Sequence, residues 1–244
     1  MSEDSRIAVI GLGYVGLPLA IAFAEAGVDV TGVDASEQRV GQLLRRSSPI
    51  DDINDERLST ALDGRLSVTL DPAAIHDADA VFVCVPTPIT GTKDPDLGPV
   101  LSAASRIRDN VRAGQLIVLQ STTFPGTTTG PFRERIEESG LKAGVDFDLA
   151  FAPERVNPGD PASASRDVPR LVGGFTPGAT KRAATLLSKV NDKVIEQSSP
   201  DAAEMAKLLE NTFRNVNIAF VNQLALLCEQ IGRASCRERV SNCV

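Results

Sequence analysis

Tryptophan is absent from the 244 residues, tyrosine and histidine occur once each, and aromatic residues make up only 4% of the chain. Aliphatic side chains must therefore fill most of the core. The four cysteines include no CxxC pair, and together with the single histidine, His76, they supply no set of zinc ligands at a usual spacing. We therefore expect no bound metal, and free thiols in a reducing compartment.

Long hydrophobic runs and long basic runs are also lacking. No apolar stretch approaches the roughly 20 residues that a membrane-spanning helix needs, and residues 1–6 are too polar and acidic for a signal peptide. A net charge of -7 without any basic stretch argues against nucleic acid as a partner. We expect a soluble cytoplasmic protein that binds neither membranes nor nucleic acid.

The first 34 residues carry the most informative pattern. A β-branched run at residues 7–10 precedes the glycine-rich segment GLGYVG at residues 11–16, an apolar helical stretch and a second apolar run. In such a unit the first glycine permits a tight turn, the second lets the backbone approach a diphosphate, and the third lets the helix lie close to the sheet. Free N–H groups at the helix start attract phosphates. The alternative is a purely structural turn in another doubly wound protein. The predicted cofactor-binding residues of this turn are Gly11, Gly13, Tyr14, Val15 and Gly16.

Asp34 ends the second apolar run, at the position where a carboxylate can accept hydrogen bonds from both ribose hydroxyls. An acid there favours NAD over NADP, because it would repel a 2′-phosphate. Since the chain is acidic overall, an anionic cofactor needs local positive groups. Arg39, on the next predicted helix, is therefore a further cofactor-binding candidate.

Strands and helices alternate along the chain to about residue 198. This alternation predicts an α/β fold, a doubly wound and mainly parallel Rossmann sheet with right-handed crossovers. Ligands of such sheets bind beyond the carboxyl ends of the strands. Thr87, Thr122 and Glu154 each lie just past a predicted strand and are therefore site candidates. A helix is predicted to follow the segment at residues 121–128 and to end at about residue 139.

A long helix is predicted to follow. Ser199 can cap it, Pro200 fits its first turn, and no proline or glycine occurs between residues 201 and 230. About thirty residues make a helix near 45 Å long, which is typical of a spine between domains or of a subunit interface. We predict an NAD-binding Rossmann-like domain over residues 1–198, and a central helix over residues 199–232 that joins two copies through its apolar stripe.

Five short segments occur in a recognisable order. They are GLGYVGLPLA at residues 11–20, VPTP at 85–88, STTFPGTT at 121–128, APERVNPG at 152–159 and KLLENTFR at 207–214. Together they closely resemble the UDP-glucose/GDP-mannose dehydrogenase family, and within it the branch that acts on UDP-N-acetylglucosamine or UDP-N-acetylmannosamine. The resemblance covers residues 6 to about 231.

The resemblance implies a two-step oxidation of the C6 alcohol of a nucleotide sugar to a carboxylate with two NAD+. In that scheme a cysteine holds the aldehyde as a thiohemiacetal, and the resulting thioester is hydrolysed. Lys207 and Asn211 match the pair that contacts the reacting oxygen and its water, and their spacing of four places them on one helix face. Thr122 matches the threonine near the nicotinamide and the catalytic water, and Thr87 matches a threonine that contacts the cofactor.

The substrate side of the resemblance involves three further residues. Glu154 and Arg155 match an acid–base dipeptide that lines the substrate site, and Arg214 is a candidate for binding the sugar nucleotide. The residues by themselves leave simpler explanations open. Lys207 and Asn211 could be solvated surface residues, Thr122 a helix cap, Thr87 a turn residue, and Glu154–Arg155 a surface salt bridge.

The sequence departs from the family pattern in two places. Pro158 stands where the UDP-glucose branch has a glutamate, which leaves open the group that activates water, with Glu154 as the first candidate. The GGHC motif of the family's nucleophilic cysteine does not occur, and neither does the second Rossmann-like domain that follows it in the family and binds the UDP. Residues 233–244 show no helical or strand period and are interpreted as a non-native tail. Cys84 and Cys228 are interpreted as packed thiols rather than nucleophiles.

The preferred prediction is the amino-terminal half of a dehydrogenase that oxidises a UDP-N-acetylhexosamine for glycan precursor synthesis, binding NAD without completing the oxidation. Two alternatives stay open. A β-hydroxyacid or 6-phosphogluconate-type dehydrogenase also joins a Rossmann domain to a long helix with Lys and Asn, although the segment PERVNPG favours nucleotide sugars. A non-catalytic NAD-binding dimerisation module is favoured by the missing nucleophile.

Overall fold

The structure, a computed structural model, describes residues 5–89, 91, 95–154 and 167–230. Its first half follows the predicted order closely. The elements are β1 (Arg6–Ile10), α1 (Gly16–Glu25), β2 (Asp29–Val33), α2 (Glu37–Leu44), α3 (Asp55–Asp63), β3 (Leu66–Thr69), a 3-10 turn (Pro72–Ile75) and β4 (Ala80–Val83).

The second half adds four strands and four helices. They are α4 (Gly98–Arg108), β5 (Leu116–Leu119), a π-type segment (Thr128–Phe132), α5 (Arg133–Glu137), β6 (Asp148–Phe151), β7 (Arg170–Gly174), α6 (Pro177–Leu187), β8 (Val194–Gln197) and α7 (Pro200–Gln230).

The eight strands form one sheet in the order β3-β2-β1-β4-β5-β6-β7-β8. The order 3-2-1-4-5-6 is that of the dinucleotide-binding Rossmann fold, with its topological switch point between β1 and β4. This arrangement confirms the predicted α/β class. One pair of neighbouring strands is not parallel, because β7 runs antiparallel to β6. The sheet is therefore mainly parallel, with a reversed pair beside its edge.

Both faces of the sheet are covered, which explains why the strands read as continuous apolar runs. Successive residues of β1 point to opposite faces, Ile7 and Val9 into one core and Ala8 and Ile10 into the other. Helices α1, α3 and α6 cover the first face, and α4, α5 and the start of α7 cover the second. The rings of Phe23 and Phe82 meet in the first core with centroids 5.3 Å apart.

The predicted helix that ends near residue 139 is broken in the structure, and the prediction of one continuous helix is wrong. Gly130 has non-helical angles, φ -106° and ψ -110°, between the π-type segment and α5. Pro131 follows directly, and the ring of a proline disfavours the α conformation of the preceding residue. The break leaves α5 only five residues long.

Helix α7 begins as the sequence predicts. The Ser199 hydroxyl accepts a hydrogen bond from the Ala202 amide at 3.1 Å, and the helix then runs for 31 residues, about 46 Å. Its first turns pack on the sheet, with Ala203, Glu204 and Lys207 buried. From Leu208 onwards most of its large apolar side chains are exposed. Within the part of the chain that the structure describes, no helix is both long and apolar enough to cross a membrane.

Candidate functional site

The glycine turn after β1 is closed by backbone contacts that only glycine permits. Gly11 has φ +91°, and a Cβ there would lie 2.7 Å from the Cys84 carbonyl oxygen. A Cβ on Gly16 would lie 1.8 Å from the Gly11 carbonyl oxygen. The Gly11 amide donates to the Val33 carbonyl at 2.8 Å, which fixes the turn to the end of β2. The turn therefore leaves the start of α1 open to the carboxyl edge of the sheet.

Asp34 lies directly beside this turn, as the sequence predicts. Its carboxylate accepts hydrogen bonds from the Leu12 amide at 2.7 Å and from the Ser36 amide at 2.9 Å. The guanidinium of Arg39 lies 3.8 Å from the same carboxylate, and its Nη1 lies 3.2 Å from where a Cβ on Gly13 would be. Only 8% of Asp34 is exposed, so the protein holds this carboxylate in one orientation.

A cleft of about 570 Å³ opens between the glycine turn and helix α4. This volume is within the range of roughly 300–1,000 Å³ that small-molecule and cofactor sites occupy. Two cations, Arg39 and Arg106, lie in its wall together with the acid Asp34. The glycine turn and the charged residues of its lining are Gly11, Gly13, Tyr14, Asp34, Arg39 and Arg106.

These residues fit a nicotinamide dinucleotide. The backbone of Gly13, Tyr14 and Val15 lines the cleft immediately before α1, and the positive end of that helix's dipole suits a diphosphate there. Because Gly13 has no Cβ, the space next to the Arg39 guanidinium stays open. Each oxygen of Asp34 can accept a further hydrogen bond. The combination of a glycine turn at a helix start, two cations and one acid matches the diphosphate and the ribose of such a cofactor.

Cys84 lies at the floor of the cleft and is not suited to nucleophilic chemistry. Its thiol donates a hydrogen bond to Oε1 of Gln120 at 3.3 Å. Burial raises the pKa of the Cys84 thiol far above its usual value, the charge of Glu154 raises it further, and Arg170 opposes them. A neutral thiol is a poor nucleophile. The prediction of a packed thiol is confirmed for Cys84, whereas Cys228 on α7 is only half-buried.

The loops after β4 and β5 adjoin each other next to the cleft. Thr87 is half-buried and follows Val85 and Pro86, which line the cleft. The Ser121 hydroxyl donates to the Val85 carbonyl at 2.7 Å and so joins the two loops. Thr122 is exposed and is not a helix cap, because the next helical segment begins at Thr128. That alternative for Thr122 is therefore wrong.

Glu154, just past the end of β6, forms an ion pair with Arg170 at the start of β7. Each of these two side chains is only 10% exposed, so the pair is not a surface salt bridge. Arg170 also donates to the Pro153 carbonyl, which holds the guanidinium against this loop. The predicted partner Arg155 lies outside the described residues, together with Pro158.

The three candidates on α7 differ in burial. Lys207 is 8% exposed, which rules out a solvated lysine, while Asn211 and Arg214 are half-buried. Lys207 lies one turn beyond Glu204, a fully buried acid that sequence reasoning missed. The structure thus brings the glycine turn, Asp34 and Arg39 into one cleft, and it places Lys207 on a helix that packs on the neighbouring strands.

Three residues of this region were not found from the sequence: Arg106, Arg170 and Glu204. Arg106 gave no signal of its own, because no local pattern shows which part of α4 meets the glycine turn. Arg170 and Glu204 gave no local signal. Each is recognisable only from a contact with a residue far away in the chain, Glu154 and Thr128 respectively.

Comparisons with known proteins agree with the geometry. Residues 5–191 match the sequence profile of the NAD binding domain of the UDP-glucose/GDP-mannose dehydrogenase family, and residues 201–238 match the profile of its central domain. The chain is 39% identical over 229 residues to a UDP-N-acetyl-D-mannosamine dehydrogenase of Pyrococcus horikoshii, covering 93% of this chain and 54% of that protein.

Another relative, a UDP-N-acetyl-D-glucosamine 6-dehydrogenase of Pseudomonas aeruginosa, is 33% identical, with 94% of this chain and 54% of that protein covered. Among solved structures, the UDP-D-ManNAc dehydrogenase of Pyrococcus horikoshii superimposes with a TM-score of 0.84 at 38% identity, covering 93% of this chain and 55% of that one. The chain therefore spans about half the length of the relatives it matches.

Proposed function

We infer the function from one premise: the chain belongs to the UDP-glucose/GDP-mannose dehydrogenase family, whose NAD binding domain it matches over residues 5–191. The observation that supports cofactor binding most directly is the position of Asp34. Its carboxylate lies 2.7 Å from an amide of the glycine turn, inside a cleft that also contains Arg39 and Arg106. A ribose would meet the acid, and a diphosphate would meet the start of α1.

The proposed reaction is oxidation of the C6 alcohol of a nucleotide sugar to the uronic acid. The mannosamine and glucosamine dehydrogenases among the relatives favour a UDP-N-acetylhexosamine as the substrate. NAD+ bound in the cleft supplies the hydride acceptor. The product would be a precursor for polysaccharide or cell-surface glycans, and we place the protein in the cytoplasm, where such precursors and NAD are available.

We assign roles to the residues around the cleft as follows. Lys207 donates a hydrogen bond to the reacting oxygen, and Asn211, four residues later on the same face, orients its water. Thr122, whose side chain is exposed beyond β5, contacts the nicotinamide side of the site, and Thr87 contacts the cofactor. Glu154, held in place by Arg170, faces the sugar. Arg155 and Arg214 are proposed to bind the substrate.

The covalent step of the family needs a reactive cysteine. No GGHC segment occurs among the 244 residues, and the buried Cys84 is held neutral. We expect the chain alone to bind NAD+ but not to sustain turnover. Stopped-flow recording of NADH formation with UDP-N-acetylglucosamine and UDP-N-acetylmannosamine tests this, and sustained NADH formation would contradict it.

A binding experiment separates this function from the two alternatives. Any substrate affinity of the chain in the presence of NAD+ should be for UDP-sugars and not for small β-hydroxyacids, because the family match is to nucleotide-sugar enzymes. Binding of a hydroxyacid instead would favour the small-substrate dehydrogenase. Binding of NAD+ with no affinity for either class would favour a non-catalytic module.

We also propose that two copies associate through α7. The helix extends for 31 residues, and Leu209, Phe213, Val216 and Phe220 are each more than half exposed. A patch of exposed apolar side chains of this length marks an interaction surface. Light scattering should give the mass of a homodimer, and a Val216→Glu variant should give a monomer. A wild-type chain that is monomeric at all concentrations would contradict the proposal.

A further inference from the structure

Glu204 is the one acid of α7 that is completely buried among the residues the structure describes, with 0% exposure. Its carboxylate accepts four hydrogen bonds from three residues. Oε1 accepts from the Thr123 hydroxyl at 3.2 Å, from the Thr128 amide at 3.0 Å and from the Thr128 hydroxyl at 2.6 Å. Oε2 accepts from the Gly126 amide at 2.8 Å.

All four donors belong to one stretch, residues 121–128, which leads from β5 to the first residue of the π-type segment. A buried carboxylate is costly unless donors replace its water, and these four do so. The contact joins residues that are 76 to 81 positions apart in the chain. Glu204 therefore attaches this loop to the first turns of α7.

The two segments that Glu204 joins carry the residues proposed above for the reaction. Thr122 stands in the loop between Ser121, which is bonded to the Val85 carbonyl, and Thr123, which is bonded to Glu204. Lys207 and Asn211 follow Glu204 by three and seven residues and lie on the same helix face. Neither neighbour of Thr122 can shift without breaking one of these hydrogen bonds.

The topology indicates which half of a dinucleotide lies near this loop. Asp34 at the end of β2 marks the adenosine side of the switch point. The other half of the cofactor must then extend across the switch point, over the ends of β4 and β5. The loop that Glu204 holds is the one that follows β5.

We propose that Glu204 is a positioning residue that fixes the Thr122 loop against α7, and thereby sets Thr122 relative to Lys207 and to the nicotinamide half of the cofactor. The proposal rests on the proposed NAD function. It assigns no chemistry to Glu204 itself, whose oxygens are occupied by protein donors.

The test compares two probes on the chain, NAD+ and ADP-ribose, by isothermal titration. ADP-ribose has the adenosine and diphosphate but no nicotinamide. In Glu204→Gln the amide NH2 must face either the Gly126 amide or the Thr128 amide, which is a donor against a donor. We expect NAD+ to bind about tenfold more weakly to this variant, with ADP-ribose affinity changed less than about twofold.

Asp201→Asn is the matched control. Asp201 is an acid on the same helix, one turn earlier, and it accepts from the Thr129 hydroxyl at 2.8 Å at the exposed surface. Its replacement should change neither affinity by more than about twofold. Should Glu204→Gln not fold, Thr123→Val removes one donor while leaving the acid, and it should lower NAD+ affinity selectively as well.

Each outcome decides a different point. Selective loss of NAD+ affinity in Glu204→Gln, or in Thr123→Val if that variant is needed, supports the proposal. An equal loss for both probes means a merely structural role and overturns it, as does a wild-type chain that binds NAD+ no more tightly than ADP-ribose. If the wild-type chain binds neither probe, the proposed NAD function fails, and the positioning role fails with it.

Discussion

The two ends of the proposed site, the cleft at the glycine turn and the loops and helix proposed for the reaction, are built in different ways. The end with the glycine turn comes from one continuous stretch, β1 to α2, and the hydrogen bond from the Leu12 amide to Asp34 spans only 22 residues. The other end comes from the loops after β4, β5 and β6 and from α7. Its connections span 36 residues between Val85 and Ser121 and 81 residues between Thr123 and Glu204.

This difference predicts different responses to substitution. The first end depends mainly on steric limits within one β-turn-α unit and against Cys84 of the adjacent strand end, so a small change there should act locally and strongly. The second end exists only when the whole sheet is in register, because strands β4 to β6 bring its loops together. Substitutions at this second end should weaken the contacts made there and leave cofactor binding at the glycine turn intact.

The largest effect is expected for Gly16→Ala. The new Cβ would lie 1.8 Å from the Gly11 carbonyl oxygen and 3.1 Å from the Cys84 Cβ, so the turn must move away from α1. We expect loss of measurable NAD+ binding and a free energy of unfolding lower by about 3 kcal/mol, the upper range for an overpacked core. Titration with NAD+ measures the affinity, and urea denaturation measures the free energy of unfolding.

Gly41→Ala is the matched control for that substitution. Gly41 lies inside α2, where a Cβ would meet only the flexible end of Arg45 at 3.4 Å. We expect unchanged NAD+ affinity and a gain of about 0.5–1 kcal/mol from helix propensity. If Gly16→Ala behaved like Gly41→Ala, the glycine turn would not be the rigid local unit described above.

A smaller but still large effect is expected for Asp34→Ala. The substitution removes the acceptor for the proposed ribose hydroxyls and leaves the Leu12 and Ser36 amides without theirs. With about 1.5–3 kcal/mol for each charge-assisted hydrogen bond, NAD+ should bind at least about 100-fold more weakly. Unchanged affinity in a fluorescence titration would remove the ribose role from Asp34.

A moderate effect is expected for Arg106→Ala, on the wall that faces the glycine turn. A half-buried cation near a diphosphate contributes about 1 kcal/mol, so NAD+ affinity should fall about fivefold. Arg108→Ala serves as the control, because Arg108 on the same helix pairs with Asp109 and Glu138 at the surface. Equal effects of the two substitutions would show that only the net charge matters.

The smallest effect concerns pH and the second end of the proposed site. Burial raises the pKa of Glu204 above its ordinary value of 4.5, although its hydrogen bonds from Thr128, Gly126 and Thr123 oppose the shift. A raised folded-state pKa means that the acid stabilises the fold most fully below its unfolded pKa. This stabilisation is lost as the pH rises through the folded-state pKa.

Denaturation of the wild type and of Glu204→Gln over a pH series measures this dependence, since glutamine does not titrate. The stability of the wild type relative to the variant should fall as the pH rises from about 4.5. A difference that stays constant with pH would contradict a titrating Glu204. A difference that grows with pH would indicate a lowered pKa.

Sequence reasoning succeeded where short-range rules apply. The unit β1-α1-β2 with Asp34, the Ser199 cap and the alternation of strands and helices are all set by neighbours within a few turns. The Gly130 break was missed although Pro131 was visible, because the apolar pattern on either side of it continued. The antiparallel direction of β7 was not specified by the alternation of elements.

The sequence by itself determined the fold class, the glycine turn and the acid beside it, because steric limits and hydrophobic period act over distances of a few residues. Only the tertiary structure decided that Arg170 pairs with Glu154, that Arg106 faces the glycine turn, and that Glu204 holds the Thr122 loop. Those contacts depend on which strands are neighbours in the sheet. Strand order follows from the packing of the whole chain, which no local pattern contains.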